Sequence, residues 1–382
     1  MTSILHAFSS VILKKMNISP RVLKLTLACV VGMVTIVVIN NWYRSKNIVI
    51  QNNAFTGPQI QRDKQQAGYV QPPPAFLESK NVQQLQIDSF NPPPPKVEIK
   101  RRPTKCGETD DDFRYSGLET VKPLTDKVSA KFRSQEASCS RKNFPKPNAK
   151  LTPEETRRKT ECVRNWRRDH RQGSGAFWTG TVQYIRHLHH TYLNTDSTVF
   201  DIGGNKGEDA EAMIKRYHPG TYVILEPIKT LYSNLVKMFK SNDKVALYNF
   251  GLARKDDRFF VNVRGHGGDA TSIFDGNDNG GSCMLRVVNT TQFLLQVGVP
   301  CYEVDLITVN CEGCEFEIME ELISSGMIGQ FRHVQFATHP TLAHLKKAPE
   351  RYCEIQEKLK RTHKVSYQYK WCWESWTRKD LI

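Results

Sequence analysis

The residues best placed to do chemistry cluster between positions 198 and 226. Thr198-Val199-Phe200 is a short apolar run that ends on Asp201. It enters a turn containing Gly203, Gly204, Asn205 and Gly207, and Glu208 to Tyr217 then reads as a helix. Glycines in such a turn allow positive φ and let a ligand press against bare backbone. The helix start offers unpaired N–H groups. Thr221-Tyr222-Val223-Ile224-Leu225 is a second buried strand, and it ends on Glu226, 25 residues after Asp201. A mononucleotide-binding fold places the carboxylate that grips a ribose diol at about that distance. Strand, glycine turn, helix, strand and terminal acid together imply an open parallel α/β sheet that binds a nucleoside-containing ligand. The acid at the end of the first strand would repel a pyrophosphate, yet it can hold an ammonium. S-adenosylmethionine combines an ammonium, a carboxylate and a ribose diol, so electrostatics favours a methyl donor over a dinucleotide.

A second set of candidates lies downstream. Asp305 to Val309 reads as a strand that runs through Asn310 and Cys311 into Glu312-Gly313-Cys314-Glu315, and a helix follows from Cys314 to Leu322. Arg332 to Thr338 is a further strand and ends at His339. Methyl transfer to a hydroxyl requires an aligned acceptor and a base. Strand ends in these folds face the ligand, so Asn310, Glu312 and His339 are the catalytic candidates. Glu312 could equally cap the helix that follows it, and His339, which precedes Pro340, could be a satisfied turn histidine. Cys311-x-x-Cys314 has redox spacing, but it opens the Glu-Gly-x-Glu turn and is not expected in a thioredoxin-like βαβ setting.

These two blocks, with Leu225-Glu226-Pro227, resemble the FkbM-type branch of the class I S-adenosylmethionine-dependent methyltransferases over about residues 175–345. Asn310 stands where that family commonly has Asp, and Cys311 and Cys314 are unusual for it. The resemblance implies a class I methyltransferase-like (Rossmann-like), mostly parallel α/β sheet with helices on both faces, spanning residues 175–382. It implies S-adenosylmethionine as cofactor. Asp201, Gly203, Asn205 and Gly207, with Gly204 in the same turn, would cradle its methionine part and Glu226 its ribose. Asn249, at the end of a third strand expected over Val245 to Phe250, would lie near the adenine. The implied acceptor is a hydroxyl of a glycan or a small secondary metabolite.

The rest of the chain reads as a tether. The 382 residues carry a formal net charge of +15, which by itself suggests a nucleic-acid partner. The charge is unevenly placed: residues 172–382 hold 24 basic and 24 acidic residues, so the excess lies before them. Nucleic acid is therefore not an expected partner. A hydrophobic content of 39% excludes wholesale disorder, and 24% charged residues argues against a polytopic membrane protein.

Residues 25–43 are uncharged, long enough at roughly 1.5 Å per residue for a helix of about 28 Å, and end in Trp42 and Tyr43. Lys14, Lys15, Arg21 and Lys24 precede them, which places residues 1–24 in the cytosol. The expectation is a single-pass type II membrane protein of the Golgi or ER, with its catalytic domain in the lumen. A Pro/Gln-rich stalk over 44–105 and a basic helical segment over 106–174 would link the two. Thr152, Pro153 and Glu155 mark a helix start.

Phe177 to His190 reads as an amphipathic helix with solvent-facing histidines and no metal site. Gly265 to Gly281 is a glycine-rich loop of the kind that often lies over active sites. Asn289-Thr290-Thr291 and Asn17-Ile18-Ser19 are glycosylation sequons. Beyond the membrane span nine cysteines remain, an odd number, so some disulfides and at least one leftover thiol are expected. The anchor-and-stalk layout also suits a Golgi-type glycosyltransferase using Asp110-Asp111-Asp112 or Asp275 to Asp278, and a non-catalytic protein that keeps the methyltransferase fold is the third reading.

Overall fold

The computed structural model describes residues 105–124, 149–265, 268, 270–274 and 281–382. All belong to the compact unit Pro93–Ile382. The expected membrane span, the cytosolic tail, the Asn17 sequon and nearly all of the stalk lie outside the described residues, as does Asp275 to Gly280. Among the described residues no helix is long and apolar enough to cross a membrane.

The central sheet has seven strands in the order β3-β2-β1-β7-β8-β10-β9. They are β1 (Thr198–Ile202), β2 (Thr221–Leu225), β3 (Val245–Tyr248), β7 (Val304–Val309), β8 (Phe331–Ala337), β9 (His363–Tyr369) and β10 (Trp373–Arg378). β1 pairs in parallel with β2 and β7, and the parallel set extends to β3 and β8. β10 alone runs against its neighbours β8 and β9. Every residue of β1, β2 and β7 is buried, as a parallel sheet covered on both faces requires. This is the mixed α/β, mostly parallel sheet that the strand and glycine-turn pattern predicted. A second sheet sets β6 (Cys283–Asn289) between β4 (Gly251–Ala253) and β5 (Asp257–Val261).

Eight α-helices complete the described chain: α1 (Asp110–Arg114), α2 (Pro153–Phe177), α3 (Ile185–Leu188), α4 (Glu208–Tyr217), α5 (Lys229–Phe239), α6 (Thr290–Val297), α7 (Cys314–Ser325) and α8 (Ala348–Leu359). Alternation along β1 divides the core. Phe200 and Ile202 join the large cluster with Phe293, Phe316 and Phe336, and Val199 joins the smaller one with Met213, Leu235 and Phe239.

α2 begins as predicted, with Thr152 accepting from the Glu155 N–H and Glu155 accepting from the Thr152 N–H. It extends to Phe177, so position 174 falls inside the helix. Its basic side chains meet acids of α8: Arg158 pairs with Glu357 at 2.7 Å and Lys159 with Glu354 at 2.6 Å. Trp166 packs edge-on against the buried Trp371. Gly173 lets α2 pass the β9–β10 turn, because a Cβ there would sit 2.2 Å from the Lys370 carbonyl oxygen.

The Cys162–Cys353 disulfide fixes α2 to α8 across a sequence separation of 191. Closing so long a loop restricts the unfolded chain strongly, and losing such a bridge costs about 2–5 kcal/mol. Cys162→Ala is therefore expected to lower the thermal midpoint by about 5–15 °C. A scanning calorimetry trace matching wild type would show that the helix contacts hold this layer alone. Cys106–Cys283 and Cys311–Cys314 are also bonded, Cys301 is disulfide-bonded as well, and Cys372 is a free, half-buried thiol.

Candidate active site

The strand order turns back between β1 and β7, the point at which open α/β sheets bind ligands at their carboxyl ends. Gly203 leaves β1 with φ +95° and lies against Asn310, which leaves β7. A Cβ on Gly203 would lie 2.0 Å from the Asn310 carbonyl oxygen and 3.3 Å from Cys311 Cβ. The Asn310 N–H donates to the Ile202 carbonyl at 2.9 Å. The Gly203 and Gly204 N–H groups both donate to the Leu225 carbonyl, at 2.9 and 3.0 Å. Gly204 packs on Ile224, and Gly207, with φ +84°, packs on Leu235 and Met238. The glycines therefore serve close protein packing and positive φ together.

Glu226 is buried at the end of β2 and accepts from the Asn205 N–H at 2.7 Å and the Ile228 N–H at 2.8 Å. Burial pushes its carboxyl up to about 7, against the pull of those two N–H groups. Asn205 sits in the left-handed region at φ 46°, and its buried side-chain oxygen has no partner. Asn249 fixes the same corner from below, donating to the Glu226 carbonyl at 2.9 Å, while Arg286 holds the Asn249 carbonyl. The strand expected to run to Phe250 stops at Tyr248, because Asn249 turns to make these contacts.

Asp201 belongs to the opposite face. It alternates with Ile202 along β1, and its carboxylate accepts from the Tyr222 hydroxyl at 3.1 Å. Burial, reinforced by the charges of Asp209 and Glu226, pushes it up to about 7. At the end of β1, Asp201 is thus tied to the neighbouring strand β2 through the Tyr222 hydroxyl. The first turn of α4 carries Glu208, Asp209 and Glu211, which complement the helix dipole themselves and disfavour a pyrophosphate there.

Glu312, Glu315 and His339 form a connected group beyond β7 and β8. The His339 imidazole bonds Glu315 through Nδ1 at 2.8 Å and Glu312 through Nε2 at 3.2 Å. Burial alone would lower its pKa, but the two carboxylates reverse this and raise it to about 10. The two carboxylates thus favour the imidazolium form of His339 at neutral pH. Glu315, 1% exposed, also accepts from the Cys311 and Gly313 N–H groups at 2.9 and 2.7 Å. Glu315, and not Glu312, therefore fixes the turn that leads into α7. Glu312 itself is held at φ 53° with its side chain about a quarter exposed (24%).

Between these parts lies a cavity of about 40 Å³ lined by Ile202, Gly203, Pro227, Cys311, Cys314 and Glu317 on one side, and by Thr271 and Ile273 on the other. Ser272 donates to the Glu312 carbonyl at 2.5 Å, and the Phe274 ring packs where Gly313 lacks a Cβ. A nucleoside-sized ligand needs roughly 300 Å³ or more, well beyond the volume of this cavity.

Other expectations resolve away from this site. Phe177 to His190 is not one helix: α2 ends at Phe177 and only Ile185–Leu188 is α-helical afterwards. Its histidines do not face solvent. His187 pairs with Asp209 at 2.7 Å. His190 is fully buried against Tyr192 and Gln335, and burial lowers it to about 4. Among the described residues one cluster, Cys106, Glu108 and Cys283, has metal-ligand spacing, but its two cysteines are bonded to each other. Asp112 is buried, capping α1 and pairing with Lys229 at 3.1 Å, so the 110–112 acids do not form an open metal pair. The Asn289 sequon is also committed. Asn289 caps α6 and donates to the Arg254 carbonyl, and Thr291 donates to Glu321 at 2.5 Å.

No family model matches the chain, and no curated protein matches it. Among solved structures it is similar to precorrin-6y C5,15-methyltransferase from Geobacter metallireducens, at 13% identity and TM-score 0.28, covering 52% of this chain and 87% of that one. It is similar to the N-methyltransferase NodS from Bradyrhizobium japonicum, at 10% identity and TM-score 0.28, over 51% of this chain and 96% of that one. The cyclopropane synthase MmaA2 from Mycobacterium tuberculosis is similar at 11% identity and TM-score 0.29, over 48% and 61% of the two chains.

Proposed function

We propose that the chain is an S-adenosylmethionine-dependent methyltransferase that acts on a hydroxyl of a glycan or small metabolite. The observation that carries this reading is the corner at Asn205 and Glu226. There a carboxylate at the end of β2 orders the glycine turn through the Asn205 N–H, and the unpaired Asn205 oxygen is buried beside it. An unpaired buried acceptor costs about 1–3 kcal/mol unless a donor reaches it, and the donor's ammonium and ribose hydroxyls supply such groups. The residues therefore suit the ligand's chemistry, and binding would require the adjoining cavity to widen. The sulfonium would supply the methyl group. Gly203, Gly204, Asn205 and Gly207 would hold the methionine end, Glu226 the ribose, and Asn249 the corner next to the adenine.

On the acceptor side, Glu312 would take the hydroxyl proton. The His339 imidazolium would keep Glu312 oriented, and Asn310, whose backbone is fixed to β1, would border the acceptor. FkbM membership rests on the motif resemblance. The type II anchor through residues 25–43 and a lumenal Golgi or ER location are further proposals drawn from the flanking charges. Because Asn289 is engaged in capping α6, a glycosylation map of the topology should use an introduced sequon.

The test is thermal unfolding of the full chain in detergent with S-adenosylhomocysteine. At a hundred times its dissociation constant a ligand adds about 2.7 kcal/mol, a rise of about 5–10 °C for a domain of this size. Glu226→Ala should remove the shift. Stabilisation confined to a sugar nucleotide with Mn²⁺ would overturn the proposal in favour of glycosyl transfer.

A further inference from the structure

Cys311 and Cys314 are bonded across the turn that carries Glu312, and this disulfide differs from the others described with a known partner. Cys106–Cys283 and Cys162–Cys353 span separations of 177 and 191 residues, whereas Cys311–Cys314 spans three. Cys106, Cys283 and Cys353 are buried and Cys162 is partly exposed, while both Cys311 and Cys314 are partly exposed and line the small cavity. A three-residue loop constrains the unfolded chain little, so stability does not account for the bond.

Its setting suits exchange chemistry. Cys314 is the first residue of the twelve-residue helix α7, whose leading N–H groups favour a thiolate. The pair occupies the turn between β7 and α7, and β7 runs parallel to β8, so it opens a βαβ unit. The turn also has ties of its own, because Glu315 holds the Cys311 and Gly313 N–H groups. Two freed thiols would therefore stay close enough to reclose.

We propose that Cys311–Cys314 is a thiol–disulfide exchange site whose partner is a small thiol or dithiol, and that its state sets the turn positioning Glu312. A thiolate of the dithiol attacks one cysteine sulfur, the S–S bond breaks, and a mixed disulfide forms as the released cysteine thiolate takes up a proton. The second thiol of the reductant then attacks the mixed disulfide and releases the other cysteine, which is also protonated. Two electrons and two protons pass to the cysteine pair, and the reductant leaves as its own disulfide. Oxidation is the reverse.

None of the readouts that test this uses a methyl donor or acceptor, so the outcome is separate from the proposed function. The full chain is equilibrated in dithiothreitol buffers of stepped reduced-to-oxidised ratio, trapped with N-ethylmaleimide and mapped by peptide mass spectrometry. Cys311 and Cys314 should be alkylated together, in buffers at least about tenfold less reducing than those that open Cys162–Cys353. Amide hydrogen exchange over 311–315 should then accelerate at least about tenfold. Cys314→Ser should leave Cys311 able to form a mixed disulfide with glutathione in the folded protein. Opening only together with the other disulfides, or a Cys311 that glutathione does not reach, would overturn the exchange site. Selective opening with unchanged exchange over 311–315 would overturn its control of the turn.

Discussion

Gly203→Ala is expected to destabilise the protein by about 3–5 kcal/mol and to remove donor binding. The added Cβ would lie 2.0 Å from the Asn310 carbonyl oxygen, and that oxygen is backbone, so no side-chain rotation relieves the clash. Gly203 also sits at φ +95°, where a Cβ is strained whatever the surrounding space. Relief requires β1 and β7 to part, which breaks the Asn310 to Ile202 hydrogen bond at the centre of the sheet. A displacement of about 1 Å at such a site costs on the order of a hundredfold in function. Gly175→Ala is the control: nothing lies within 4 Å of its Cβ position, and alanine in an exposed helix is favoured by about 0.5–1 kcal/mol. Urea denaturation of the two variants should therefore move in opposite directions. Equal midpoints would show that the switch point tolerates a side chain and is not the rigid centre described above.

How far the sequence reaches depends on the range of each interaction. The Asp201 to Glu226 block was legible because strand, turn, helix and acid are adjacent along the chain, and so was the capping box at Thr152. Which face Asp201 occupies was not legible, since it depends on Tyr222 in the neighbouring strand. The burial of His190 depends on Gln335 and Tyr192, one of them far along the chain, so local amphipathicity suggested solvent. The basic run of α2 carries part of the charge excess that precedes residue 172. Arg158 and Lys159 in it meet Glu357 and Glu354, about 200 positions away, while Arg164, Arg167 and Arg171 remain exposed. The reversed strand β10, inserted between β8 and β9, carries no local signature at all.

Glu315→Gln should destabilise the protein by about 3–5 kcal/mol, the usual consequence of removing one partner of a buried ion pair. The loss falls on three donors at once: the Cys311 and Gly313 N–H groups and the His339 imidazolium. An amide can accept from one of them, but it turns an NH₂ toward another. The pH dependence separates this from ordinary packing damage. His339 has its folded pKa raised to about 10 from an ordinary 6.5 by Glu315 and Glu312. The folded state therefore binds the proton more tightly than the unfolded chain, and the stabilisation is complete below about pH 6.5. It fades as pH rises through about 10. The imidazole keeps 26% side-chain exposure, so solvent screens the pair and the full effect amounts to about 2–4 kcal/mol. Urea midpoints between pH 6 and pH 10 should fall more steeply for wild type than for His339→Gln, and the Glu315→Gln curve should be shallower than wild type. Parallel wild-type and His339→Gln curves would mean that the imidazole is neutral in the folded protein. In that case His339 would return as the base, and Glu312 would lose its role as proton acceptor.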